Sequence, residues 1–510
     1  MITFQTRGAR NSVAAANSLH TRLLRTSRPT EVGPLVAGVG VAAVLYGAKL
    51  LLDVAGNPEV QDGTRRAASN TGSNDADAKP GGRAAAASAS TATASSTRSL
   101  ESYFTTDVMG VDLGHGAKEW SGACAAVVSG GALRIVESEQ GSRMMPNAVA
   151  FTVSGDVLVG QPAKNLLFSR NAKSVVGHQL LHGIQHGSAE ADVLGSAGGL
   201  PYELVADPAT GLVLVQVHGI GHKPEELSGR VLSLLRGSAE AALGGGRSVL
   251  SAVVGAPVGA SDATRAALVA AGKCAGLHRV ELLDEAVAGA YAAERELEAS
   301  VGPEVRRLGV YALGGKAFSF SVLERTATET GSAEAGWRVL AAQRTPLLGG
   351  ERFDEAVVEY LVTSFEEEHG IDLSRDHLAL QRLHEAAEAA KLELSSALSA
   401  SISLPFITAD AHGPKHMELA LSRAKFDGLV EPTLNESLGA CDAVLSEAAL
   451  QPSDLDAILL LGGTARTAVV EATAARHFGQ APLRMARPEE AIALGTAALA
   501  QRMQEHQYAP

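Results

Sequence analysis

The sequence predicts an α/β protein made of two duplicated lobes around a cleft, preceded by one N-terminal transmembrane helix. From residue 108 onward, short apolar runs bounded by turn residues alternate with segments of helical periodicity. Two predicted hairpins contain a glycine turn, and they start at residues 108 and 309, about two hundred residues apart. The repetition indicates a duplicated unit, and ligands of such α/β architectures bind where the strand ends of both halves meet.

Residues 1–30 contain five arginines and no lysine, aspartate or glutamate. This composition is typical of a mitochondrial-type presequence, and a disordered basic tail is the alternative. We therefore expect the protein at the mitochondrial inner membrane. The endoplasmic reticulum or a plastid membrane is the alternative location.

Residues 31–53 are predicted to form a single transmembrane helix. Residues 32–48 carry no charge, and a snorkelling Lys49 allows the three following leucines to extend the span. A buried soluble helix and the apolar region of a signal anchor are the alternatives. Residues 54–105 are rich in alanine, serine and glycine and poor in large apolar side chains, which predicts a disordered tether.

The composition excludes some classes of function. A net charge of −13 without a basic-aromatic stretch argues against a nucleic-acid partner. Cys124, Cys274 and Cys441 are scattered and lack metal-ligand spacing, so we interpret them as core thiols and predict no metal site formed by them.

The globular part is predicted to comprise lobe I at residues 106–300 and lobe II at residues 301–502, with a tail at 503–510. In both lobes the helices are amphipathic and the strands are short and apolar. The glycine-turn hairpins pair 108–114 with 123–128 and 309–315 with 317–323. The other predicted elements are a hairpin at 148–153 and 157–160, helices at 225–243, 261–275, 285–299, 351–369 and 377–396, strands at 248–255 and 280–283, and a helix at 425–448 with a kink at Pro432.

An apolar run at residues 458–461 ends at Gly462 and Gly463, and Thr464 is predicted to cap the helix that follows at 469–477. Glycine lets the backbone turn sharply or come close to a ligand. Strand, turn and helix can present backbone N–H groups to a nucleotide. A tight connection without a ligand is the alternative.

Five motifs between residues 108 and 502 occur in the order found in one known family. They are Val159-Gly-Gln-Pro-Ala-Lys164, Ala386-Ala-Glu-Ala-Ala-Lys-Leu-Glu-Leu-Ser-Ser396, Ser422-Arg-Ala-Lys-Phe426, Leu461-Gly-Gly-Thr-Ala-Arg466 and Arg487-Pro-Glu-Glu-Ala-Ile-Ala-Leu-Gly495. On these motifs the chain resembles the nucleotide-binding domain of the heat-shock-seventy chaperones, in their bacterial and mitochondrial DnaK-type branch. The resemblance implies an actin-like ATPase fold with ATP or ADP in the cleft.

The resemblance also implies the adenosine side of the site. Glu388, Lys391 and Ser395 match a helix that contacts adenine and ribose, and their spacing places them on one helix face. A solvated ion pair on the helix surface is the alternative for the first two. Leu392 stands where some members have an arginine, which weakens one stacking wall. Further nucleotide contacts are implied for Gly349, Gly350, Gly462, Gly463, Thr464 and Arg466.

The phosphate side departs from the family. The first loop keeps Asp112 and Gly114, but His115 and Gly116 replace two threonines, and a small insertion surrounds Trp120. The second loop, Asp-Leu-Gly-Gly-Gly-Thr-Phe-Asp in the family, is here Ala312-Leu-Gly314-Gly315-Lys316-Ala317-Phe-Ser319. Two carboxylates and one threonine are therefore missing.

Other catalytic elements are partly kept. Glu285 matches a catalytic glutamate, and Pro257 and Arg265 match a proline switch and an arginine relay. The segment from His178 to His182 replaces the one that carries the family's catalytic lysine, and it contains no lysine.

The losses predict weak or absent catalysis. Mg²⁺ needs oxygen ligands, and only Asp112 remains at the centre, so we expect doubtful magnesium dependence and little hydrolysis. Lys316 could supply the missing positive charge and allow nucleotide binding without magnesium. The alternative is that Lys316 points to solvent.

The sequence ends soon after the last predicted helix, so we expect the protein to lack the family's interdomain linker, peptide-binding domain and lid. We therefore predict a membrane-anchored pseudo-ATPase that serves as a scaffold or accessory subunit of a mitochondrial membrane complex. Its expected partners are a nucleotide, the membrane, and protein subunits or co-chaperones. The alternative is an active or slow ATPase that assists protein folding or import.

Overall fold

The computed structural model describes residues 107–114, 122–167, 169, 171–197, 200, 202–302, 305–326 and 336–508. The predicted presequence, transmembrane helix and tether lie outside these residues, as do His115, Gly116 and Trp120. Among the described helices, none is both long enough and apolar enough to cross a membrane.

Strands and helices alternate through the described part of the chain. The strands are β1 (Asp107–Asp112), β2 (Gly122–Ser129), β3 (Ala132–Ile135), β4 (Met145–Pro146), β5 (Ala148–Thr152), β6 (Val157–Val159), β7 (Ala172–Val176), β8 (Glu203–Ala206), β9 (Val213–Val217), β10 (Ile220–His222), β11 (Val249–Ala256), β12 (Arg279–Asp284), β13 (Arg307–Leu313), β14 (Ala317–Arg325), β15 (Trp337–Pro346), β16 (Ser399–Asp410), β17 (Gly413–Ser422), β18 (Ala457–Leu461) and β19 (Leu483–Arg484). The α-helices are α1 (Gln161–Lys164), α2 (Ala189–Asp192), α3 (Pro224–Leu243), α4 (Asp262–Cys274), α5 (Glu285–Ala292), α6 (Glu294–Ser300), α7 (Gly350–His369), α8 (His377–Leu394), α9 (Arg423–Glu447), α10 (Ala468–Phe478) and α11 (Ala491–Tyr508).

The two main sheets have the same topology. In the first, the strand order is β12-β11-β1-β2-β3, with β1 parallel to β11 and antiparallel to β2. In the second, the order is β19-β18-β13-β14-β15, with β13 parallel to β18 and antiparallel to β14. Each glycine-turn hairpin thus lies beside a parallel strand that enters later in the chain, which agrees with the predicted duplication. We refer to the parts built on these sheets as the first and second lobes.

Each sheet buries one face against long helices. In the first lobe, side chains of β1 such as Met109 and Val111 pack with α3 and α4. In the second lobe, Phe318 and Phe320 of β14 pack with apolar side chains of α7, α8 and α9. The other face of the second sheet packs on α5, the helix that begins at Glu285. The first and second lobes therefore meet next to the ends of β1 and β13.

Helix α11 follows the second sheet in sequence but packs on the first. Ala493 and Ala497 lie against Cys124 and Ala126 of β2. Gly495 lies where α11 comes closest to α5. Glycine is required there because a Cβ would collide with a backbone carbonyl of α5.

Two local predictions were wrong. The helix expected at 285–299 is two helices that meet at Ala293, whose backbone leaves the helical region. Thr464 does not cap α10, because a 3₁₀ turn at Gly463–Arg466 comes first and Thr467 precedes the helix. The helix around Pro432 is one element, α9.

Candidate functional site

Three glycine-containing turns of the second lobe are joined by hydrogen bonds. The carbonyl oxygen of Gly314 accepts the backbone N–H of Gly350 at 2.9 Å and the hydroxyl of Thr464 at 3.0 Å. The N–H of Glu351 donates to the carbonyl of Gly315 at 2.8 Å. The side chain of Thr464 is thus used to join two turns, which is why it is not available to cap α10. The three turns contain the predicted nucleotide-contacting glycines Gly314 and Gly315, Gly349 and Gly350, and Gly462 and Gly463.

The absence of side chains is what allows these turns to come together. Gly462 has a φ of 87°, which L-residues rarely adopt, and a Cβ on it would meet the carbonyl of Leu313. A Cβ on Gly350 would collide with the Thr464 hydroxyl. The backbone of the second-lobe turns is therefore closely packed and specified by glycine.

Lys391 is buried, with 8% of the residue exposed. Its ammonium donates to the carboxylate of Asp354 at 2.7 Å and to the carbonyl of Gly350 at 3.3 Å. The alternative of a solvated helix pair is therefore wrong for Lys391. The lysine connects α8 to the start of α7 beside the glycine turns.

The other predicted adenosine-side residues lie around Lys391 or on the facing turn. The hydroxyl of Ser395 donates to the Lys391 carbonyl at 3.2 Å. Glu388 lies one helical turn earlier on α8 and is half-buried. Across from them, Arg466 is 55% exposed and pairs with Glu489 at 3.2 Å. The predicted adenosine-side residues thus lie on α8 and on the turn Gly463–Arg466, next to the three glycine turns.

A row of side chains crosses the second sheet where β13 ends. Ala312 pairs directly with Ser319, and Ser319 pairs directly with Arg344 of β15. Directly paired residues of antiparallel strands place their side chains on the same face. This face packs on α5, because Ala312 packs in the cluster that contains Val287 of that helix. The two positions that lost a carboxylate are therefore neighbours of an arginine.

Arg344 is not among the site residues that the sequence predicts. The strand Trp337–Pro346 contains two arginines, Arg338 and Arg344, and the sequence alone does not distinguish them, because a charged residue in a strand usually points to solvent. Burial of the guanidinium lowers the pKa of Arg344, while attraction to Glu285 and Glu190 of the first lobe opposes that shift. Among the described residues, the arginine has no hydrogen-bond or ion-pair partner in direct contact.

The first lobe contributes a pair of buried carboxyl groups. Asp112 ends β1 and accepts the N–H of Gly114 at 2.7 Å. Burial raises the pKa of Asp112 to about 6, although the Gly114 N–H lowers it. Burial also raises the pKa of Glu285 well above its usual value; Asp112 raises it further and Arg344 opposes the rise. The wall of the first lobe is therefore acidic and prone to hold a proton.

A magnesium ion does not fit these donors. Among the residues that the structure describes, no three histidine, cysteine or acidic side chains gather where they could share a metal. Opposite the two carboxyl groups lie alanine, serine and Arg344, whose charge repels a divalent cation. Hard cations such as Mg²⁺ require several oxygen ligands, and this row offers only the hydroxyl of Ser319.

Lys316 does not point to solvent, so that alternative is wrong. Its side chain is 5% exposed, and its ammonium lies 3.6 Å from the carboxylate of Glu351 at the start of α7. Lys316 and Arg344 share the lining of a cavity of about 10 Å³, roughly the space for one water molecule. The other lining residues are Leu180, Glu190, Leu194, Pro346 and Leu347.

The segment that replaces the family's lysine segment is a buried 3₁₀ helix, His178–Leu181. Burial lowers the pKa of His178 to about 3 and that of His182 to about 4. His182 lies 2.9 Å from the hydroxyl of Ser228 on α3. Both histidines are therefore neutral near pH 7, and neither supplies a cation to the cleft.

The predicted switch residues lie on the first lobe. Pro257 directly follows β11, and its carbonyl accepts the N–H of Ala260 at 3.0 Å. The Nε–H of Arg265 donates to the Ala260 carbonyl at 3.3 Å. Arg265 also attracts Asp284, the residue before Glu285, and so opposes the rise of the Asp284 pKa that burial causes. The two residues are thus linked through one short loop.

The sequence is similar to known proteins of one family. The family model described as Hsp70 protein matches residues 108–507. The chain is 36% identical to "Chaperone protein DnaK" of Stenotrophomonas maltophilia over 390 residues, which cover 76% of this chain and 58% of that protein. The chain therefore spans less than two thirds of the length of this curated relative. The match over most of the described residues shows that the chain belongs to the Hsp70 family.

Proposed function

We propose that the protein is a non-hydrolysing Hsp70-type nucleotide-binding module that holds ADP or ATP without magnesium. The observation that carries this proposal is the row Ala312, Ser319 and Arg344, in which a cation has entered and two expected carboxylates are missing. The closely packed glycine turns and the buried Lys391 support retention of the adenosine side.

Phosphoryl transfer to water depends on cations that are positioned to neutralise the transferring group and on a group that orients the water. Neutral His178 cannot replace a lysine cation. Each lost charged contact in such a site typically lowers the rate by a factor of about 100. Glu285 alone therefore cannot support hydrolysis at a useful rate.

The decisive experiment measures nucleotide binding and turnover by the full-length chain with Mg²⁺ and with EDTA. We expect binding of ADP and ATP in EDTA and no turnover above that of the Glu285→Gln variant. Turnover that requires Mg²⁺ and disappears in Glu285→Gln would establish the alternative, a slow ATPase that works with co-chaperones. Loss of all binding on chelation would refute metal-independent binding.

We also propose that the module is a tethered scaffold or accessory subunit of a mitochondrial membrane complex. The arginine-rich segment 1–30, the apolar segment 31–53 and membership of a family that includes a protein named as a chaperone support this role. We expect the full-length protein to fractionate with mitochondrial membranes and to resist alkaline extraction. A variant without residues 31–53 that fractionates identically would argue against an anchor.

A further inference from the structure

We propose that Arg344 is the phosphate-binding cation of this site and takes the place that a metal ion would otherwise have. This inference rests on the proposed nucleotide binding and names the group that permits it without magnesium. The ligand class is a nucleoside di- or triphosphate in its metal-free form.

Arg344 has an uncommon environment for an arginine. Among the described residues, none forms a hydrogen bond or ion pair with its guanidinium, and the residue is half-buried on the face of the sheet that packs on α5. A partly buried arginine normally has charged or carbonyl partners, because N–H donors that lose water without gaining a partner are costly. The guanidinium thus keeps its donors available for an anion.

The surroundings keep Arg344 charged without occupying it. Glu285 and Glu190 of the first lobe attract it electrostatically. Because neither carboxylate is in direct contact, an incoming phosphate does not have to break an ion pair before it binds. A guanidinium is also the side chain best suited to grip two phosphate oxygens at once.

The register of the second sheet places Arg344 on the correct face. Its strand partner Ser319 and the next residue in the row, Ala312, have short side chains, so the arginine can extend along the sheet toward the end of β13. The glycine turn that follows β13 contains Gly314 and Gly315 and lies at that end. The guanidinium and the glycine turn therefore lie at the same end of the second sheet.

Lys316 is less suited to this role. Its ammonium is already paired with Glu351 and is almost completely buried. The cavity that it shares with Arg344 is only about 10 Å³, which does not accommodate a phosphate group between the two cations. We therefore assign the ligand to Arg344 and a positioning role in the turn to Lys316.

The test uses the full-length chain in EDTA and measures affinities for ADP and for adenosine, which has no phosphate. In Arg344→Gln we expect ADP to bind at least about tenfold more weakly and adenosine to bind unchanged, because a charge-assisted contact to phosphate is lost. The matched control is Arg338→Gln on the same strand, an exposed arginine that pairs with Glu324. Arg344→Lys should recover part of the ADP affinity.

The outcomes separate this inference from the proposed function. If ADP binds in EDTA and both arginine variants bind it equally, Arg344 is not the phosphate ligand, while the proposed function stands. If the wild type binds neither ADP nor adenosine, the proposed function itself fails. If Arg344→Gln also melts at a much lower temperature, competition of pyrophosphate with ADP on the wild type in EDTA decides: competition supports the inference and its absence overturns it.

A gain-of-function variant gives a second readout. Arg344→Gly combined with Ser319→Asp removes the cation and restores one carboxylate in the same row. We expect Mg²⁺ to strengthen ADP binding to this variant but not to the wild type. An identical response of both proteins to Mg²⁺ would contradict the assignment of Arg344 as the substitute for a metal.

Discussion

The walls that the two lobes present to the cleft have the same backbone topology but opposite charge. At the end of β1 the first lobe has Asp112, and Glu285 lies nearby. At the equivalent place in the second sheet, the end of β13 has Ala312, and the row continues to Arg344. The glycine turns of the second lobe are joined by backbone groups, the Thr464 hydroxyl and the Lys391 ammonium, none of which belongs to the row of Ala312, Ser319 and Arg344. The side chains of that row could therefore change without loss of the fold. The backbone topology and the charge of the site can therefore vary independently in this architecture.

The largest expected change in stability concerns the basic wall of the second lobe, which consists of Lys316 and Arg344. Glu351→Gln leaves the ammonium of Lys316 buried without its carboxylate partner. Because removal of one partner from a buried ion pair is strongly unfavourable, we expect the free energy of unfolding to fall by about 4 kcal/mol. Urea denaturation measures this change.

The matched control for that variant is Glu324→Gln, which breaks an ion pair whose arginine is 63% exposed. We expect a loss below about 1 kcal/mol, since surface pairs are screened by solvent. Equal losses in both variants would mean that the buried Lys316–Glu351 pair contributes no more to the free energy of unfolding than a surface pair does.

On the acidic wall of the first lobe, formed by Asp112 and Glu285, removal of a charge is expected to raise the free energy of unfolding. Asp112→Asn removes a carboxylate whose pKa is raised to about 6 by burial, while the amide can still accept the Gly114 N–H. At about pH 7 the variant should be more stable by about 3 kcal/mol. The gain should shrink as the pH falls, because the folded wild type takes up the proton through its raised pKa before the unfolded chain does.

Urea denaturation of both proteins between about pH 7 and pH 4 tests this dependence. The wild type and Asp112→Asn are compared at each pH because both contain His178 and His182, which make the fold less stable as the pH falls. Their lowered pKa values stabilise the fold above the ordinary pKa of histidine, and this stability is lost as the pH falls toward about 4 and then about 3. A difference between wild type and Asp112→Asn that is constant over this range would show that Asp112 is not the titrating group.

The smallest effect concerns the adenosine side. Thr464→Val removes the hydroxyl that donates to the Gly314 carbonyl. We expect a loss of about 1 kcal/mol in the free energy of unfolding, because the carbonyl keeps its bond to the Gly350 N–H. Thr464→Ser retains the hydroxyl and should be close to the wild type. Similar losses in both variants would assign the effect to packing of the methyl group.

The backbone of the site could be predicted from the sequence. The hairpin at β13 and β14, the apolar strand β18 and the glycines after it have strong local signals, because strand periodicity and glycine turns depend on neighbouring residues. The repetition of one such hairpin two hundred or so residues later predicted the duplicated sheets. These features follow from short-range physics.

The charges of the site could not be predicted in the same way. Arg344 faces the cleft because Ser319 is its strand partner, and that register depends on residues 25 positions apart in the chain. The burial of Lys316 depends on Glu351, whose helix begins beside the same turn. The sequence predicts a helix cap for Thr464 because the following helix is its nearest partner, but the hydroxyl donates to the Gly314 carbonyl instead. In each case the deciding contact is long-range.

The position of α11 has a consequence for biosynthesis. Strand β1 begins at Asp107, but the helix that covers it starts at Ala491. During synthesis, one apolar face of the first sheet stays exposed until nearly all of the second lobe has been translated. Non-local closure of this kind slows folding and prolongs exposure to aggregation. A protein of this chaperone family therefore has a topology that makes its own nascent chain a candidate client of chaperones.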